Sequence, residues 1–279
     1  MVKEYEVSEH YAKNNLLEAI LDGINNIGKT KDSVNIDDLA PIDEFHIGGR
    51  QATIHFLKQL DIHASNNILD IGCGLGGASR FAANTFGCHV VGVDLTEDYI
   101  YVGTELNRWL GLDSKISLKK GSALQLPIEE AQFDAAFMLH VGMNISDKGK
   151  LASEAYKALK PGALFGIYDI MLLQDKEIMY PTPWAKQAEL SALSTIETYT
   201  SALKNAGFSI KTVQERRKEN IEWVKSMQNK LAESSTPAPL GLHILMGEEA
   251  KQKMFNMFNA LKSGVIAPVE IIAKKRNRS

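Results

Sequence analysis

Three side chains in this 279-residue sequence stand where their type and spacing could do chemistry: Asp70, Asp94 and His140. Asp70 lies in Ile68-Leu-Asp-Ile-Gly-Cys-Gly-Leu-Gly-Gly77, an apolar run that enters a glycine turn and then a helix-like stretch. Glycines 72, 74 and 76 permit a sharp turn and let a ligand approach backbone where a Cβ would collide. That arrangement suits a nucleotide-like ligand at a helix N-terminus. Asp94 ends the next apolar run, twenty residues after Gly74, where a carboxylate can accept hydrogen bonds from both hydroxyls of a ribose. The competing role for Asp94 is a helix N-cap beside Thr96. His140 directly follows another apolar run, a position suited to taking or relaying a proton, or to packing under a ligand and orienting its neighbours.

Elements that could hold these residues follow from the hydrophobic pattern. Strand-like runs at 68–71, 89–93, 116–119, 133–139 and 163–169 alternate with helices expected over 76–86, 96–110 and 147–159, which builds a doubly wound, mostly parallel sheet. Lys160-Pro-Gly162 stops the last of these helices. Ahead of the core, helical spacing runs from Tyr11 to Ile27 and again from Gly48 to Leu60. Beyond Asp169 come Tyr180-Pro-Thr-Pro-Trp184, a helix at 196–206, a strand from Phe208, a helix at 220–232, a loop at 234–239, a helix at 248–261 and a last strand at 265–273. The chain therefore divides into an N-terminal helical cap, 1–60, and a core, 61–279, with insertions at about 174–195 and 216–262.

The charge of Asp70 selects among ligands. A carboxylate two residues before the first glycine would repel a dinucleotide pyrophosphate, whereas S-adenosylmethionine (SAM) has no phosphate and carries an ammonium and a sulfonium. An NAD-linked oxidoreductase is disfavoured on that ground.

The sequence resembles class I SAM-dependent methyltransferases of the group that includes ubiquinone/menaquinone-biosynthesis enzymes, with a closer likeness to sarcosine/dimethylglycine N-methyltransferase-like proteins. The likeness rests on residues 70–77, Val93-Asp-Leu-Thr96, Gly121-Ser-Ala-Leu-Gln-Leu-Pro127, Leu139-His-Val-Gly-Met-Asn-Ile145 and Leu159-Lys-Pro-Gly162. It extends to Asp43-Glu-Phe-His-Ile-Gly-Gly-Arg50, residues 180–184 and Gly264-Val-Ile-Ala-Pro268. It implies a seven-stranded Rossmann-like α/β fold with added N-terminal helices and lid segments. SAM is then the cofactor and S-adenosylhomocysteine (SAH) the product. Asp70, Gly72 and Gly74 would hold the methionine end, Asp94 and Leu95 the ribose and adenine, and Ser122 and Ala123 the adenine edge, with Leu139 beside them. The family more often has an acid where Ser122 stands, and a serine accepts a hydrogen bond more weakly.

His140 is the candidate catalytic base, as a histidine at the matching place is in related phosphoethanolamine methyltransferases. Phe45 and His46 are expected to fold over the cofactor. Arg50 can pair with a carboxylate of the acceptor or of SAM through its planar fork, and Tyr180 and Trp184 can wall an alkylated ammonium. Together these point to the nitrogen of a small amine such as sarcosine or dimethylglycine. O- or C-methylation of a hydrophobic metabolite is the alternative, and SAM binding without turnover a third.

Composition supports this frame. With 44% hydrophobic and 23% charged residues the chain has the makeup of a folded globular protein, and a net charge of −3 offers no basic field for nucleic acid. No apolar run reaches membrane-spanning length, so a cytoplasmic protein with a small-molecule partner, no nucleic acid and no membrane is expected, and a homodimer is allowed. No metal site is expected. Cys73 and Cys88 have no partners at metal-ligand spacing, and Cys73 reads as a packing residue or, at a helix N-terminus, as a nucleophile.

Overall fold

The computed structural model describes residues 3–12, 15–233 and 238–277. Its centre is one seven-stranded sheet, β1 (Asn67–Ile71), β2 (His89–Asp94), β3 (Ile116–Lys120), β4 (Phe133–Leu139), β5 (Leu159–Leu172), β6 (Phe208–Glu215) and β7 (Ile266–Lys275), in the spatial order β3-β2-β1-β4-β5-β7-β6. The first five strands run parallel, and β7 lies antiparallel between β5 and β6. The expected doubly wound sheet is present. Its central strands are apolar on both faces, because helices cover both sides of a parallel sheet: in β4, Phe133, Ala135, Ala136, Phe137 and Met138 are all buried.

Helices α1 (Glu4–Tyr11), α2 (Leu16–Asn26), α3 (Ile36–Asp43) and α4 (Gly49–Leu57) precede the sheet. Of the stretch expected as helix from Tyr11 to Ile27, Leu16–Asn26 forms α2 and Tyr11 is the last residue of α1, and Asn15 ahead of α2 takes a left-handed conformation (φ 58°) that asparagine tolerates better than most residues. Residues 13–14 of that stretch, and 234–237 of the loop expected at 234–239, lie outside the described residues. Helix α3 begins with a reciprocal cap, in which the Asn35 side chain accepts from the amides of Asp37 and Asp38 and the Asp38 carboxylate accepts from the Asn35 amide. Helices α5 (Gly77–Phe86), α6 (Glu97–Trp109), α7 (Lys148–Ala158) and α8 (Ile196–Ala206) are the crossovers; α9 (Arg217–Glu233), α10 (His243–Met246) and α11 (Ala250–Lys262) lie between β6 and β7.

Lys160-Pro-Gly162 ends α7 but does not separate it from β5. The strand starts at Leu159, paired with Phe133, and the register shifts before Leu164 pairs with Ala135. Residues 160–163 bulge opposite Asp134, whose carboxylate accepts from Lys160 Nζ at 2.6 Å, and Gly162 supplies a left-handed turn (φ 81°). Proline lacks only a ladder donor, which a bulge does not require.

Candidate active site

A cavity opens beyond the C-terminal ends of β1, β2 and β4, where ligands of open α/β sheets bind. It brings together Phe45, His46, Asp70, Gly72, Gly74, Asp94, Leu95, Ala123, Leu139, His140 and Trp184. Ser122, Arg50 and Tyr180 are not in its wall.

The glycine loop is held by the acids around it. Asp94 Oδ2 accepts from the Gly74 amide and Oδ1 from the Thr96 amide, each at 2.8 Å. Asp94 thus caps the start of α6 and also pins the loop from β1; each carboxylate oxygen keeps a further lone pair for the cavity. The three loop glycines have positive φ (74°, 54° and 83° at Gly72, Gly74 and Gly76). A Cβ at Gly72 would collide with Val141 and one at Gly76 would meet Leu118 at 3.2 Å, whereas at Gly74 the nearest neighbour is Tyr99 at 4.0 Å. Gly72 and Gly74 both line the cavity, and at Gly72 and Gly76 the missing Cβ also makes room for protein side chains.

Asp70 is buried, and its Oδ2 accepts from the Ser79 hydroxyl at 2.7 Å. Burial, opposed by that hydrogen bond, pushes its carboxyl up to about 7, and burial also raises Asp94. Among the described residues, no lysine or arginine lines the cavity. Two desolvated carboxyls facing a space without a cation suit a ligand that brings positive charge. Three cavity side chains also carry buried polar atoms without a partner, the Tyr99 hydroxyl, His140 Nε2 and Asn144 Oδ1. Such atoms are rare unless something else satisfies them. The donor set therefore fits SAM. Burial moves the Cys73 thiol well up, which favours the packing role for it over the nucleophile role.

His140 closes β4 in a left-handed conformation (φ 53°), uncommon for a residue with a Cβ, and its amide donates to the Tyr168 carbonyl at 2.7 Å. Its ring centroid lies 5.1 Å from that of Tyr168 and 5.7 Å from that of His46. Burial, with His46 beside it, holds the imidazole neutral well below the usual histidine range. His46 is fixed by a buried chain: the Thr53 hydroxyl donates to Glu44 Oε2 at 2.6 Å and lies 3.0 Å from His46 Nε2. With its single proton given to Glu44, Thr53 can only accept from His46, which places the imidazole proton on Nε2. Tyr168 donates to the Ile47 carbonyl at 3.1 Å, so β5 ties the 45–47 segment over the cavity.

Arg50, expected to reach an acceptor carboxylate, is engaged elsewhere. Its Nε pairs with buried Glu44, and its guanidinium lies over the Phe81 ring. Gly48 and Gly49, at the start of α4, make room for α9: a Cβ on Gly48 would meet Asn220 Oδ1 at 2.9 Å, and one on Gly49 would meet Trp223 at 3.4 Å. Ser122 donates to Glu4 of α1, and Glu4 itself lines the cavity. An acid thus stands near this position after all, delivered from the N-terminal helix. Trp184 is buried, with its indole N–H on Ser191 Oγ at 3.0 Å.

Residues not singled out from the sequence complete the wall: Tyr11 from α1, Met143 and Asn144 after β4, Trp223 on α9, and Leu242, Leu245, Met254 and Met257 around α10 and α11. Asn144 Nδ2 donates to the Tyr11 hydroxyl at 3.2 Å, joining the N-terminal helix to the turn after His140. Asn144 belongs to the 139–145 motif and was accessible to sequence reading. The others carry no local signal, since methionines and leucines at helical spacing read as core.

Residues 68–162 match the protein family described as Methyltransferase domain. Phosphoethanolamine N-methyltransferase 1 of Zea mays is 30% identical over 169 residues, 61% of this chain and 33% of that protein. The chain thus spans a third of that relative's length. A putative sarcosine dimethylglycine methyltransferase from Galdieria sulphuraria superposes with a TM-score of 0.64 at 19% identity, covering 82% of this chain and 86% of that one. The cyclase SpnF superposes with a TM-score of 0.71 at 16% identity over 99% of this chain and 98% of its own. At these identities the solved structures establish the fold.

Proposed function

We propose that this chain, which carries a methyltransferase domain over residues 68–162 and the fold of the solved methyltransferases, is a class I SAM-dependent methyltransferase that transfers the methyl group of SAM to a small-molecule acceptor placed at His140. The observation that carries this reading is one cavity joining the acids Asp70 and Asp94 to the unpartnered Nε2 of His140. SAM supplies a methyl group activated by a sulfonium, so the protein's tasks are alignment and exclusion of water. Asp94 holds the ribose and Asp70 the ammonium end, with Gly74 leaving the backbone open beside them. Leu95, Ala123 and Leu139 flank the adenine and the reacting end, while Phe45 and His46 cover them as part of the 1–60 cap. His140, kept neutral, takes the acceptor's proton.

The acceptor expected from sequence, a carboxylated amine such as sarcosine or dimethylglycine, drew on Arg50 and an aromatic pair. With Arg50 on Glu44 and Tyr180 outside the wall, Trp184 is the part of that support that faces the cavity. Transfer to oxygen or carbon of a hydrophobic metabolite draws on the larger apolar wall and is the better supported of the two.

The test is incubation with methyl-labelled SAM and a panel of amines, amino acids, phenols and enols. Labelled product with stoichiometric SAH supports methyl transfer. Calorimetric SAM binding without SAH from any acceptor would make the chain a binding protein.

A further inference from the structure

We propose that the acceptor is an uncharged molecule with an apolar body, lying against Trp184, Trp223, Met254 and Met257 and presenting a hydroxyl or enol oxygen to His140; this rests on the methyl-transfer reading above. The wall beyond His140 comes from three distant segments: the stretch after β5 with Trp184, α9 with Trp223, and α11 with Met254 and Met257. Tryptophan and methionine offer large, polarisable contact area and no countercharge. Several buried or half-buried cations of the surrounding elements are engaged with protein groups, among them Lys253 beside Met254, whose Nζ donates to the Met246 carbonyl at 3.1 Å. Arg50 pairs with Glu44, Arg80 with Asp43 and Asn107, and Lys148 Nζ donates to the carbonyls of Ile145 and Ala192. A carboxylate or phosphate drawn in here would lose its water, gain no cation, and face Asp70 and Asp94.

The reacting atom follows from the geometry at His140, whose buried Nε2 lies in the cavity without a partner. An acceptor hydroxyl satisfies that atom by donating its O–H to it, whereas an ammonium must lose its proton before it can attack, and burial keeps this ring a weak base. A hydroxyl becomes strongly acidic only as its carbon–oxygen bond forms, so a weak base suffices. In that step the acceptor oxygen's lone pair forms the bond to the methyl carbon, the carbon–sulfur pair stays on sulfur, and the O–H proton passes to His140 Nε2 and then to solvent.

The test uses the full chain saturated with SAH and titrated with matched probes, 2-naphthol against 6-hydroxy-2-naphthoate, with sarcosine and phosphoethanolamine alongside. The expected result is that 2-naphthol binds at least tenfold more tightly than the three charged probes. Trp223→Leu should weaken it about tenfold, with Met254→Ala as a second, milder variant, while the SAH affinity of both stays within twofold. Equal or tighter binding of any charged probe, or no naphthol binding by an SAH-loaded chain, would overturn the proposal. Failure of SAH itself to bind would overturn the methyl-transfer reading beneath it.

Discussion

The two halves of the cavity are built in opposite ways. The half we propose for the cofactor is local: Asp70, the glycine loop and Asp94 come from adjacent strands β1 and β2, and backbone amides at 2.8 Å fix the geometry. The half we propose for the acceptor gathers side chains from the stretch after β5 and from α9 to α11, which are distant in sequence and mostly apolar. A half made of polar, short-range contacts leaves a pattern that spacing can reveal. A half made of packing does not, and on a fold that supports many chemistries this is the half in which we propose that specificity is set.

Each half should respond to a different perturbation. The largest effect belongs to the boundary between them: His140→Ala should lower turnover by on the order of 10² to 10⁴, the usual worth of a positioned general base, while SAM affinity stays within about threefold. Wild-type turnover across pH in that variant would remove His140 from proton transfer and leave it a packing role.

A smaller effect isolates the cofactor half. The carboxyl of Asp70 sits at about 7 in the free chain, so at pH 6 about nine-tenths of it is protonated. A cationic ligand requires the carboxylate, and its affinity should therefore rise about tenfold between pH 6 and pH 8. Below pH 7 binding should release a proton, visible as a dependence of the calorimetric enthalpy on buffer. Asp70→Asn should flatten the profile. The sign for stability is opposite: an acid whose folded value lies above its unfolded one contributes stability below about pH 4 that is lost as pH rises through 7. A flat wild-type profile would mean that the ammonium end lies elsewhere.

The smallest functional effect is expected at Arg50. Its removal leaves Glu44 buried without its guanidinium, a change of about 3 kcal/mol, which at about 2 °C per kcal/mol lowers the melting temperature by roughly 6 °C. Acceptor KM should not change. A large rise in KM without loss of stability would return Arg50 to the acceptor site.

Arg50 also shows why the acceptor half was hard to read. An arginine after two glycines at a helix start has the form of an anion contact, and nothing in its own spacing reveals that Glu44, itself fixed by Thr53, claims it first. The glycines misled in a related way. Their positive φ was legible, but their neighbours Val141, Leu118 and Asn220 come from other strands and helices, so packing and ligand approach could not be told apart. Lys160-Pro-Gly162 was read as the stop after a helix, which it is, yet its pairing across from Asp134 makes it part of a strand. The strands of the sheet, by contrast, were legible because apolar runs of that length bounded by turns have few other uses. Ser122 falls between: its departure from the family pattern was visible, and the acid that meets it, Glu4, is 118 residues away.

Calorimetric titration of SAH into wild-type and Asp94→Ala chains tests the central claim most directly, that the cofactor half is organised by Asp94. Loss of a carboxylate that pins the glycine loop and would accept two further hydrogen bonds from a bound ribose, worth about 3 kcal/mol in all, predicts affinity lower by on the order of a hundredfold. Unchanged affinity would contradict the assignment of that half of the cavity to the cofactor.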